Sequence, residues 1–536
     1  LDYGGSGDGA DIRIVVGSNG GALHMFADSG ADVDESWAFM PKEFFKKIKT
    51  LKDNLPSSSK VYGIDGRATV HIHDDNGNGT IEPANDKVWL FFGLRRGGSA
   101  YYALDITNKD RPKWMWKIDG TEDEFKELGQ SWSQPRIAFS KLNVENGVAK
   151  PVLIFGAGYD ISKDAAGVPN SVSVDSVGKG VFMVDAESGD LLWSLTPEAT
   201  SGVNTNFADI TDSIPSRIAV LDSDADGLVD RFYMGDTGGN VWRVDMPGAN
   251  PFDSTPWTAF KLAELGGTTL DTDRRFFSEP SIVRTFITQT LRTEKVDEDG
   301  VGTGEYTITS QETPYDAVLL GSGDRSTPTN TDTTNKFFMI KDENIITESY
   351  VSGAVAPSAV VPNAVTVSDL YNFTTNPFGG YVPPLTAAQK GTLQNLEISV
   401  SLKSGWYYDY LSPGEKSTAG AIVVNGVAHF TSFVPGSAAS CSLIDGSGFL
   451  YAIDMYQGRT VYDWRSVFTT VGMPDTPTVV VTTDPPLEHE PNEDVDNPRE
   501  GVEAATIKIL TGGVVISSPD PSIRTSQGYL YLTENP

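Results

Sequence analysis

The 536-residue chain has one cysteine, Cys441, which excludes an internal disulfide and a four-cysteine zinc site. That scarcity does not decide the compartment, because a large domain can be exported without disulfides. Histidine is nearly as rare. The five present are His24, His71, His73, His429 and His489, and none can be placed beside a serine to build a Ser-His-Asp triad. No Gly-x-Ser-x-Gly elbow, His-Glu-x-x-His pair or phosphate loop occurs. Paired carboxylates for glycoside hydrolysis stay open, since sequence does not give their separation. Basic charge is also short: 41 Lys and Arg stand against 72 Asp and Glu, a net charge of −31. No basic face exists to neutralise nucleic-acid phosphates, and docking on anionic lipid is disfavoured. No run of about 18 apolar residues occurs, so no membrane-spanning helix is expected. Leu1 opens the chain without an initiator methionine or signal peptide, which reads as a fragment of a longer exported precursor.

What is abundant is glycine, with 54 residues, and proline, with 31, as many short strands joined by tight turns require. A loose pattern recurs: an apolar strand ending in Gly, a Gly-rich turn, a strand ending in Asp, then Trp. It runs through 12–17, 21–26 and Trp37, and through 88–93, 100–105, Trp114 and Trp116. It returns in 152–156, 180–185 and Trp193, then in 231–235 and 239–245. Later copies are 317–321 with 337–340, and 448–454 with Trp464. Runs such as Val-Leu-Ile-Phe lack strict alternation, as expected of strands covered on both faces. Such sheets repeat radially around an axis. The motif resembles the blades of quinoprotein-like propellers. The weaker stretch 419–430 adds two strands of a further copy, and the count points to seven blades. The expected fold is therefore all-β, a modified β-propeller over 1–536 as a single domain. It carries long loop insertions near 121–130, 162–178, 293–312, 351–394 and 474–503. One short helix is expected over 41–51, with Phe44, Phe45, Ile48 and Leu51 near one face.

The densest chemistry lies in Asp222-Ser-Asp-Ala-Asp-Gly-Leu-Val-Asp230. Calcium takes about six to eight oxygen ligands, and acids at alternate positions can wrap one ion. Asp222, Asp224 and Asp226 fill positions 1, 3 and 5, Gly227 permits the reversal, Leu228 offers its carbonyl and Asp230 a fourth carboxylate. Tyr233 stands where an EF-hand has glutamate, and the flanks read as strands, so the loop joins strands rather than helices. A second segment has the same spacing, with Asp74, Asn76, Asn78, Thr80 and Glu82 as ligands to a second calcium ion. It has fewer charges, and its Asn-Gly pairs equally suit a plain hairpin. Asp297-Glu-Asp-Gly300 is too short a match, and His71 with His73 reads as two strand histidines rather than a zinc site.

The segments 14–26, Glu35-Ser-Trp-Ala-Phe-Met-Pro41, Gln130-Ser-Trp-Ser-Gln-Pro135 and Gly235-Asp-Thr-Gly-Gly-Asn-Val-Trp-Arg-Val-Asp245 resemble the C-terminal region of the PilC/PilY type IV pilus biogenesis factors. The resemblance spans most of the chain and is weakest over 293–410 and after Met473. It implies a calcium-dependent, non-enzymatic pilus biogenesis factor and surface adhesin. In that family, calcium at such a loop regulates pilus extension against retraction, and hence twitching motility and attachment. By position Asp222, Asp224, Asp226, Asp230 and the Leu228 carbonyl would be the ligands. Implied partners are pilins or minor pilins and a host or surface receptor. The implied location is the outer membrane, cell surface or pilus tip of a Gram-negative bacterium. The Asp-x-Asp-x-Asp-Gly-x-x-Asp loop also resembles integrin α-chain blades, in which the ion only rigidifies the sheet. A quinoprotein dehydrogenase is the third alternative. Its vicinal Cys-Cys disulfide is excluded by the single Cys441.

Overall fold

A computed structural model describes residues 1–4, 10–28, 30, 32–56, 60–165, 174–297, 302–353, 359–381, 384–436, 446–483, 505–512, 514–517 and 529–533. Cys441 and His489 lie outside these residues. The chain groups into two compact units, residues 1–280 with 346–364, and residues 281–345 with 365–536.

The first unit is a succession of sheets. β1 (Ile12–Gly17), β2 (Leu23–Asp28) and β3 (Val33–Phe39) form the first sheet. β4 (Ala68–His73), β5 (Lys87–Gly93), β6 (Ala100–Asp105) and β7 (Lys113–Asp119) form the second, paired in chain order. The third comprises β8 (Arg136–Glu145), β9 (Val148–Gly156), β10 (Val181–Asp185) and β11 (Leu191–Thr196), with β12 (Asn204–Asn206) added in parallel to β11. β13 (Ala219–Leu221), β14 (Arg231–Gly235), β15 (Asn240–Asp245) and β16 (Thr258–Glu264) pair in order as the fourth.

The repeat seen in the sequence has a physical counterpart in each sheet. Between the last two long strands the register slips, at Met25/Phe26, Ala103/Leu104, Met183/Val184 and Val241/Trp242. Such bulges sharpen strand twist, which a stack of radial sheets needs. Trp37, Trp116 and Trp193 lie opposite Met25, Ala103 and Met183 at these slips. The indole N–H of Trp37 donates to the Lys109 carbonyl of the second sheet at 2.9 Å, and that of Trp116 to the Ala186 carbonyl of the third at 3.1 Å. The recurrent Asp caps the turn after its strand: Asp185 Oδ1 accepts from the Glu187 and Ser188 amides. Gly189 closes that turn at φ +81°, and a Cβ there would lie 2.8 Å from the Trp116 ring. Strand residues such as Leu90, Phe91, Val152, Ile154 and Phe155 are fully buried because neighbouring sheets cover both faces.

The Asp-Thr-Gly-Gly-Asn-Val-Trp segment is a structural device. The buried Asp236 carboxylate accepts from the Gly238 and Asn240 amides, the Asn240 side chain and the Trp242 indole. Burial, with the nearby Asp212 carboxylate, pushes its pKa up to about 7.

In the second unit β17 (Ser281–Val296) and β18 (Gly302–Gly321) make a long hairpin, continued by β19 (Lys336–Asp342) and residues Gly405–Asp409. The insertion expected at 293–312 is therefore largely paired strand, with Thr293 opposite Thr307 and Val296 opposite Gly302. A second sheet joins Ile422–Val424, Val427–Val434, Ser447–Asp454 and Ser466–Val471, and Thr478–Thr483 pairs with Ala505–Thr511 in a third. Much of the insertion at 474–503 lies outside the described residues.

Two helical features depart from the expectation. Residues Lys42–Lys47 form a 3-10 turn before α1 (Ile48–Asp53). Three residues per turn put only Phe44 inward, leaving Phe45 and Ile48 exposed. In the stretch read as the 351–394 insertion a 15-residue helix begins, α2 (Ala387–Ser401), capped by reciprocal bonds of Thr386 and Gln389.

Candidate metal centre

The loop 222–230 joins β13 to β14, whose ends are locked in register at Leu221–Arg231. The Asp230 amide donates to the Leu221 carbonyl at 3.0 Å, closing the loop at its base. Asp222 organises what lies between. Its Oδ1 accepts from the Ala225 amide at 2.7 Å and its Oδ2 from the Gly227 amide at 2.8 Å. Ala225 and Gly227 hold φ of +63° and +85°, the left-handed turns that fold the loop back on itself. Asp224 accepts from the Asp226 amide and Asp226 from the Leu228 amide, at 3.2 and 2.8 Å. Carboxylate oxygens of Asp222, Asp224 and Asp226 then lie within 4.8 Å of one another on the exposed face of the loop. Three hard oxygen donors at that spacing suit a divalent cation of the calcium or magnesium type.

Asp230 is placed differently. Its carboxylate is buried beneath the loop, where Oδ2 accepts from the Ser223 amide and hydroxyl at 2.8 and 2.7 Å. Lys141 of β8 donates to Oδ1 at 3.1 Å and lies 3.7 Å from Asp226. Burial pulls the Asp230 pKa upward, but the Ser223 donors and the Lys141 ammonium outweigh it and hold the carboxyl below its ordinary range. The structure thus brings Asp222, Asp224 and Asp226 together, and seats Asp230 behind them with Ser223 and Lys141.

The second loop joins β4 to β5 and has the same internal wiring. Asp74 accepts from the Gly77 and Gly79 amides, both at 2.7 Å. Asn76 accepts from the Asn78 amide and Asn78 from the Thr80 amide, at 3.0 and 2.7 Å. The Gly79 bond first, then that of Gly77, lowers the Asp74 pKa. Asp86 takes the place of Asp230: buried at the base, it accepts from the Asp75 amide at 2.9 Å and the Glu82 amide at 2.6 Å. Glu82 instead accepts the side-chain amides of Asn76 and Asn78, at 2.8 and 3.1 Å. A carboxylate already met by two neutral donors repels its neighbours less and gains less from a cation than the three-aspartate cluster. His71, on the adjoining strand, packs against the Trp89 ring at 5.4 Å, and burial lowers its pKa.

Sequence spacing found the loops but not Ser223, Lys141 or Asp86. Ser223 is adjacent to Asp222, yet nothing in the spacing marks position 2 as a donor. Lys141 comes from another sheet, 89 residues away.

A family model described as the PilY1 β-propeller domain matches residues 5–278. A type IV pilus biogenesis factor PilY1 homolog of Xylella fastidiosa is 25% identical over 497 residues, covering 89% of this chain and 28% of that protein. The type IV pilus biogenesis factor PilY1 of Pseudomonas aeruginosa is 29% identical over 262 residues, covering 47% of this chain and 19% of that one. The chain thus spans less than a third of the length of these curated relatives. Among solved structures, the Pseudomonas aeruginosa PilY1 C-terminal domain aligns over 95% of this chain and 93% of its own, with a TM-score of 0.55 and 18% identity. That likeness extends the propeller-like fold beyond the residues covered by the family model.

Proposed function

The chain belongs to the PilY1 β-propeller family, and on that premise we propose that it is a calcium-dependent type IV pilus biogenesis factor and surface adhesin. The observation that carries the calcium half is the oxygen cluster of Asp222, Asp224 and Asp226, folded by two Asp222 bonds to backbone amides. In this reading the Leu228 carbonyl and Asp230 complete the ligand set, and Asp230 gives up Lys141 to do so. The loop's three exposed carboxylates repel one another, and calcium supplies the charge that offsets this repulsion. The ordered hairpin β13–β14 then changes the surface offered to pilins or minor pilins, biasing extension against retraction and so twitching motility and attachment. The Asp74 loop is a weaker second calcium site, with Asn76, Asn78, Thr80 and Glu82 as its further ligands. The role is non-enzymatic, and the protein acts at the outer membrane, cell surface or pilus tip of a Gram-negative bacterium. Seven blades belong to the same proposal.

The test is Asp222→Ala in the full-length protein, read by calcium titration, pilus counts and twitching. Loss of calcium binding with altered piliation is expected. Calcium lost with normal pili and motility would sink the control role and leave only a stabilising ion, as in integrin-like sheets. Unchanged calcium affinity would sink the site itself.

A further inference from the structure

Three successive sheets of the first unit enter their first strands through an arginine. Arg67 precedes β4, Arg136 is the first residue of β8, and Arg217 stands two residues before β13. β4 lies beside β8 and β8 beside β13, and the guanidinium groups of Arg67 and Arg136 are near enough to act electrostatically on that of Arg217. Cross-links fix the backbone that carries them. The Gln134 side chain donates to the Ala68 carbonyl at 3.0 Å, and Ser133 Oγ to the Ser216 carbonyl at 2.7 Å. One carboxylate, Glu279, is shared between Arg136 at 3.6 Å and Arg217 at 3.3 Å. The Arg217 Nε is buried with no hydrogen-bond partner. Burial first, then the like charges of Arg136 and Arg67, lowers the Arg217 pKa against the pull of Glu279.

Arg67 and Arg217 face a cavity of about 650 Å³, to which Arg13, Asn19, Gln134 and Asp65 add polar groups. That volume is within the range of small-molecule sites, roughly 300–1,000 Å³. Neighbouring cations are unusual in a chain of net charge −31 and repel one another unless acceptors sit between them. Guanidinium forks pair two-to-two with carboxylate or phosphate oxygens. We propose that this arginine-lined cavity binds a small polyvalent oxyanion, a compound bearing two or more carboxylate or phosphate groups. The site is separate from the aspartate loops and needs no metal.

The experiment is calorimetric titration of the full chain, in metal-free buffer at constant ionic strength, with citrate and with inorganic pyrophosphate. Saturable binding of at least one is expected. Arg67→Gln, at an exposed position, should weaken it at least tenfold, with Arg67→Lys partly restoring it and Arg111→Gln leaving it unchanged. Binding of citrate alone assigns a carboxylate ligand, and of pyrophosphate alone a phosphate ligand. No heat beyond that of matched chloride, or equal binding by wild type and Arg67→Gln, overturns the proposal.

Discussion

Replacing Lys141 by Met removes a positive charge from the back of the Asp222–Asp230 loop while keeping the length of the side chain. The Lys141 Nζ lies 3.1 Å from Asp230 and 3.7 Å from Asp226. An ion bound about 2.4 Å from an Asp226 oxygen would sit roughly 5 Å from that nitrogen. At that separation a double positive charge and an ammonium repel by about 1.5 kcal/mol with water-like screening, a little more than tenfold in affinity. Lys141→Met is therefore expected to tighten calcium about tenfold at low ionic strength, and the gap should shrink in high salt. Without calcium the same variant should be less stable by about 1–2 kcal/mol, because Asp230 keeps Ser223 but loses a charged donor. Calorimetric titration of chelator-stripped protein measures the first effect and denaturant unfolding the second. Calcium binding that is unchanged or weaker in Lys141→Met would refute the idea that Lys141 opposes the ion.

Gly189→Ala should cost about 2–4 kcal/mol in denaturant unfolding, since φ +81° and a Cβ 2.8 Å from the Trp116 ring combine strain with overlap; a change under about 0.5 kcal/mol would contradict it. Asp236 carries a raised folded-state pKa of about 7, so its protonated form is favoured in the folded state and its contribution is lost as pH rises through 7. Urea midpoints should fall from about pH 4, the ordinary carboxyl value, to about pH 7 and then level off, and Asp236→Asn should flatten that slope. A slope identical in wild type and variant would assign the dependence elsewhere. The twin loops predict two calcium sites of unequal strength, with Asp74→Ala removing only the weaker; an isotherm unaltered by Asp74→Ala would leave the second loop as a hairpin turn.

Much of this was legible in the chain. The Asp-then-Trp repeat marked the sheets because each of its residues has a local duty: Asp185 caps its own turn, and Trp116 sits at a bulge. The aspartate loops were legible for the same reason, since Asp222 and Asp74 bind amides three and five residues on. What spacing could not reach is long-range. Lys141 and Asp86 meet their loops only through folding. The hairpin at 293–312 was hidden by its polarity, because a two-stranded extension needs little apolar alternation. α2 has one local signal, the capping box Thr386-x-x-Gln389, but weak amphipathicity disguises the helix behind it.

The tryptophans have a mechanical consequence. Trp37 and Trp116 each reach out of their own sheet to latch a carbonyl of the next, and Trp406 does the same to Met455 in the second unit. Latches in series each bear the whole load, so the weakest junction gives way first. A sheet pulled from its successor must break that bond and bare rings such as Phe91, Phe155 and Phe182 to water at once. Under tension the first unit should therefore yield one junction at a time, each parting in a single step as its latch and the rings beneath it open together.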